Sequence, residues 1–284
     1  MKIFKGVLLA AISTATALTP ASANHSWGNY HWARTANPIK LQVNTALTGT
    51  WSAFSATAIG QWNQSTKLDF FATKQVTVST KKCDPIAGQI LVCNAGYGQR
   101  GWLGIASIWA NGDHITQATT KLNDTYFSMA RYNSDAWRAM VTCQEIGHDF
   151  GLAHQDENFS NTNVGSCMDY TNDPSGKAGT NGSLANLAPN SHDYGQLDTI
   201  YGHLDSTSTA IASSTNFGIR QVGKPATAAQ GRDAGVGDTM ASWGRAMHED
   251  GKGRPDIFIR QLADGRTVIT HVLWAPDAKG TEAN

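Results

Sequence analysis

The order of patterned segments predicts an α+β chain that ends in a β-hairpin extension. Three observations predict it. Runs alternating apolar and polar residues recur through the first half of the chain. Helical spacing takes over across residues 134–148 and stops at a glycine, Gly151. Near the end, two β-rich runs flank Ala263-Asp264-Gly265-Arg266, which carries the Asp-Gly hairpin signal.

Residues 1–23 read as a signal peptide. Lys2 and Lys5 make a basic start, residues 6–18 are apolar or small, and Ala21-Ser22-Ala23 fits a cleavage site. The apolar run is too short, and too interrupted by Ser and Thr, to span a bilayer. A secreted or periplasmic chain starting near Asn24 is expected, with no stable membrane association. Trp27, Tyr30, His31 and Trp32 form an aromatic lead-in. Residues 38–44 alternate as a strand should, residues 55–63 read as a helix, and residues 70–78 regain strand character. Residues 101–109 are an apolar, glycine-containing strand or turn. Residues 115–123 alternate, with β-branched members, as an exposed strand would. Ser134 is a fitting N-cap for the next helix. Trp137, Met140 or Val141, Gln144 and His148 then share one of its faces. Residues 24–203 form the main domain, and residues 204–242, rich in Ser, Thr, Ala and Gly, read as a linker or irregular wrap. Residues 243–284 are the extension, with strands at 256–262 and 267–274. A lone hairpin is marginal in water, so this one is expected to dock.

Composition agrees. The 284 residues are 40% hydrophobic, enough for a packed core. Formal net charge is zero, which gives no electrostatic case for nucleic acid or an anionic membrane surface. Four cysteines in an exported chain favour two disulfides. Cys83 and Cys93 flank a segment with Pro and Gly turn signals, and their closeness in sequence favours pairing them, which leaves Cys143 for Cys167.

The chemistry concentrates in Gln144-Glu145-Ile146-Gly147-His148-Asp149-Phe150-Gly151-Leu152-Ala153-His154. Residues four apart on a helix share a face, so Gln144 and His148 can meet one ion. Glu145 sits beside them, Gly151 allows the helix to stop, and His154 can return toward the same point. Downstream lie Ser166-Cys167-Met168-Asp169-Tyr170, and then residues 190–202, ending in Ile200-Tyr201-Gly202.

These segments resemble the metzincin metallopeptidases, whose pattern is H-E-x-x-H-x-x-G-x-x-H. Here Gln144 stands in place of the first histidine. Met168 matches the methionine-bearing turn beneath the metal, and Tyr170 the tyrosine of astacin-like members. Residues 190–202 are similar to the last helix of the matrixin catalytic domain, and residues 58–63 to its first. The resemblance spans roughly residues 38–202. It implies a zincin-like fold with a mixed β-sheet, an active-site helix and a Met-turn. It implies Zn2+ held by His148, His154 and Gln144, with Glu145 and Tyr170 catalytic and Gly151 and Met168 structural. The implied function is a zinc-dependent metalloendopeptidase acting on peptide or protein substrates, which would pair with the strand near residues 115–121. The alternative is a weakly active or inactive zincin-fold peptide-binding protein. In the resemblance Cys143 and Cys167 are neighbours, so their bond would staple the helix to the methionine turn. About a dozen residues separate the cleavage site from the first strand, which leaves no room for a matrixin-like latency propeptide.

Other candidates have plainer readings. His192 is expected to cap or hydrogen-bond, Asp156 to be a loop carboxylate, His114 to be a surface residue, and His271 to be a satisfied packing residue. Trp102 and Trp109 are expected in the core.

Overall fold

The computed structural model describes residues 25–211 and 235–278. The expected signal peptide and residues 212–234 of the expected linker lie outside the described residues. The fold is mixed α/β, dominated by one sheet, with few helices. The strands are β1 (His31–Trp32), β2 (Ile39–Ala46), β3 (Leu68–Gln75), β4 (Ile90–Ala95), β5 (Trp102–Asn111), β6 (His114–Asn123), β7 (Arg245–Glu249), β8 (Pro255–Gln261) and β9 (Thr267–Trp274). The helices are α1 (Trp51–Trp62), α2 (Asp124–Phe127), α3 (Asp135–His148), α4 (Ser191–Ile200) and α5 (Met240–Trp243). No described helix is long and apolar enough to cross a membrane.

The strand order is β3-β2-β4-β6-β5-β9-β8-β7, with β1 added beside β6. The strands from β3 to β6 run parallel, and β5 is antiparallel to both β6 and β9. The C-terminal hairpin therefore docks by extending the sheet. Along β5 its register runs unbroken from Gly104 opposite Leu273 to Ala110 opposite Thr267, and a shift between Trp102 and Gly104 sets Trp102 opposite Trp274.

Burial on both faces explains why β5 reads as an unbroken apolar run. Leu103, Ile108 and Ala110 enter the main core against the helices, while Trp102, Ile105 and Trp109 enter a second core with Trp243, Phe258, Val268, Val272 and Trp274. Two expectations for β6 are overturned. The strand is buried over most of its length, not exposed, because its polar residues find internal partners. Thr120 Oγ1 donates to Asp149 Oδ2 at 2.8 Å, and the Lys121 ammonium donates to the Val236 carbonyl. Nor can a peptide pair with it, since β4 and β5 hold its two edges.

The disulfides are Cys83–Cys93 and Cys143–Cys167. The second joins α3 to the turn bearing Met168.

Candidate metal centre

Helix α3 starts where Ser134 Oγ accepts from the Trp137 amide, 3.3 Å away, the side-chain cap that an orphan N–H requires. It ends at His148, and Gly151, at φ +100°, turns the chain back. A Cβ at Gly151 would stand 2.3 Å from the Tyr30 carbonyl oxygen. A Cβ at Gly147 would lie 2.6 Å from Met168 Sδ, so a bare glycine lets the methionine nest against the helix. Ser166 Oγ fixes that turn by accepting from the Met168 amide and donating to Asp193 of α4.

His148 donates from Nδ1 to the Leu152 carbonyl at 2.8 Å. Its Nε2 then carries the lone pair, and it lies 3.2 Å from His154 Nε2. His154 Nδ1 faces Glu157 Oε1 at 3.2 Å, which holds that ring the same way round. The third member is His271, from β9. Its ring stacks on His148 with centroids 3.9 Å apart and meets His154 edge-on at 4.4 Å. Neither of its ring nitrogens has a hydrogen-bond partner, although the residue is fully buried. One nitrogen from each of the three rings lies within 4.8 Å of the others. Trp27 of the lead-in covers His271 in a stack at 4.8 Å.

Burial drives all three imidazoles toward the neutral form: His148 falls to about 3, and His154 and His271 fall well below the usual range. Neutral imidazoles with lone pairs turned inward are the donors that Zn2+ or a similar ion takes. The reading of His271 as a satisfied packing residue is thus overturned. Alternation along β9 puts His271 on the face of Ile269 and Leu273, both in the main core. A histidine in that apolar series is the signal sequence reasoning passed over.

Gln144 is buried on α3 and donates from Nε2 to the Cys167 carbonyl at 2.8 Å, while its Oε1 has no partner. Glu145 is fully buried, and both its carboxylate oxygens are without partners. Burial first, and the neighbouring Asp149 second, hold its carboxyl well above the usual range. Its place is set by Gly104 of β5, where an added Cβ would fall 2.5 Å from Glu145 Oε1. Gly104 and Ala106 are successive positions on one face of β5, and Ala106 pairs with His271. The glutamate and the third histidine therefore meet neighbouring points of the same strand.

Tyr170 packs its ring 3.9 Å from His154 and donates to Asp256 Oδ2 of β8 at 3.1 Å. Asp256 Oδ1 also accepts from His248 Nδ1 at 2.8 Å, and His248 Nε2 reaches Glu157 Oε2 at 3.4 Å. A closed polar loop thus runs from His154 through Glu157, His248 and Asp256 to Tyr170. Such carboxylate partners orient metal-binding imidazoles. Glu157, His248 and Asp256 carried no local motif that would have revealed them. The plainer candidates fall elsewhere: His192 stacks on His25, Asp156 accepts from Asn158 and Asn161 within its loop, and Trp102 and Trp109 lie in the second core. A scan of protein-family models finds no match to the chain, and a search of curated proteins finds none either.

Proposed function

We propose that this chain is an exported zinc-dependent metalloendopeptidase whose metal is held by His148, His154 and His271. The observation that carries this reading is the convergence of three buried imidazoles, with the unpartnered Glu145 carboxyl one turn before His148 on α3. Two disulfides support an oxidising compartment. The expected Gln144 donor gives way, in this reading, to His271, which supplies the missing third imidazole from the far end of the chain. Bound zinc would supply a Lewis acid for the scissile carbonyl. With a cation bound nearby to offset its burial, Glu145 would ionise, take the proton from the attacking water and return it to the leaving amine. Tyr170, tied to Asp256, orients His154. Strand β9 fills the outer edge of β5 and carries His271, so the 255–274 hairpin stays paired with β5 while the metal is held.

Full burial of the three rings favours a second reading, a metal-holding protein that does not cleave, because structural zinc sites are closed and catalytic ones keep an open position. Two variants test these readings, one for the chemistry and one for the centre they share. Glu145→Gln should cut chelator-sensitive cleavage of a denatured protein by about 10²–10⁴, with zinc content and melting temperature unchanged. His271→Ala should lose one zinc equivalent. Absence of any chelator-sensitive cleavage by the wild type establishes the second reading, and unchanged zinc in His271→Ala removes the proposed centre altogether.

A further inference from the structure

A second group of histidines lies on β1 and just beyond α4, sharing no residue with the first. His31 donates from Nδ1 to the Asn29 carbonyl at 2.6 Å, which leaves a lone pair on its Nε2. That atom stands 3.2 Å from His203 Nε2 and 3.3 Å from Asp205 Oδ1, and His203 Nε2 is 3.6 Å from the same carboxylate oxygen. A tetrahedral zinc ion with bonds of ~2.0–2.1 Å places its ligands ~3.3–3.4 Å apart. The three edges found here bracket that spacing. The other oxygen, Asp205 Oδ2, is already held by the Arg34 amide at 3.0 Å and by Arg34 Nη1 at 3.2 Å, so Oδ1 is the one left for an ion. Backbone and guanidinium partners of this kind orient ligating groups.

We propose that His31, His203 and Asp205 form a second zinc site, which pins the N-terminal lead-in to the segment after α4. His31 and Asp205 are nearly buried, whereas the His203 side chain is 53% exposed, so the ion enters from the His203 side. A cavity of about 330 Å³ lies against the site, lined among others by Asn29, Asp113, His31 and His203. The fourth position falls to water from that side, since His114, with its Nε2 3.3 Å from Asp205 Oδ1, does not converge with all three ligand atoms. Imidazole and carboxylate donors suit zinc and its transition-metal neighbours better than calcium or magnesium.

The proposal is independent of the peptidase reading, and one experiment keeps the two apart. The full mature protein is loaded with zinc chloride, dialysed, and measured for zinc per chain alongside His203→Ala and His271→Ala. His203→Ala should carry one zinc fewer than wild type, and should lose the zinc-dependent part of the rise in melting temperature that binding to the folded state confers. His203 is exposed, so its removal should leave the fold intact. His203→Asn, titrated with Co2+, serves as a second variant and should lack one of the wild-type absorption components. If His203→Ala keeps the wild-type zinc content and thermal shift, the second site does not exist. If only His271→Ala keeps them, the first centre falls and this one stands.

Discussion

One missing Cβ decides where the Glu145 carboxyl rests. Gly104 offers it bare backbone, and an alanine methyl there would sit 2.5 Å from Oε1, inside any packed contact. Gly104→Ala should therefore push the carboxyl aside. Overpacking of this kind costs about 1–3 kcal/mol, and a displacement near 1 Å can lower turnover by about 10²-fold. Turnover on a denatured protein, measured with zinc content, checks this. Unchanged turnover would show that Glu145 is not the base. Lys121 supplies a second residue-scale test. Burial, opposed in part by Asp238 and Asp84, lowers its ammonium from the usual 10.5 to about 8. The folded chain then sheds this proton before the unfolded chain does. The burial penalty is full below pH 8 and lifts as pH rises toward 10.5. Between about pH 7.5 and 9.5 this one group should add about 2 kcal/mol of stability. Urea denaturation of Lys121→Met should show that rise abolished, and an identical slope in both proteins would refute the assignment.

At the scale of elements, the Cys143–Cys167 bond, the bare Gly147 and the Ser166 hydroxyl all hold the Met168 turn against α3. Replacing both cysteines with alanine should cost about 2–5 kcal/mol. It should also weaken zinc retention, because Tyr170 and His154 pack on that turn. Chelator competition measures the second effect, and equal retention would mean that the turn supports nothing at the centre. Much at this scale was legible. Ser134 announced the start of α3 because a hydroxyl at that position has one local task. Asp264-Gly265 announced the β8–β9 turn because few residues accept its geometry. Long-range pairing was not legible. The Thr, Gln and Lys positions of β6 look like a solvated face in sequence. They are interior, because Asp149 and the Val236 carbonyl reach them from distant segments. His148 and His154 were legible through their spacing on one local unit. His271 was not, since its partners lie on α3 and its own strand shows only alternation.

The whole molecule is organised around β5, with β6 on one edge and β9 on the other. His271 rides on that hairpin, so tying the hairpin to β5 should hold the proposed centre together. Ser107 and Thr270 face each other across that seam, with hydroxyls 3.2 Å apart. The double variant Ser107→Cys with Thr270→Cys should give up zinc to a chelator more slowly when oxidised than under a mild reductant that leaves the buried native disulfides intact. Equal release in the two states would mean that the hairpin does not govern metal retention. The same seam sets an order of assembly. Until β9 is made and docked, the outer edge of β5 offers unpaired N–H and C=O groups, a template for pairing with other chains. Closing it requires a contact of long sequence separation, which is slow to form. The three-imidazole centre cannot exist before that closure, because His271 arrives with the last strand. In the proposed reading metal uptake therefore marks the end of folding, and a newly made chain is at its most aggregation-prone while the centre still lacks its third imidazole.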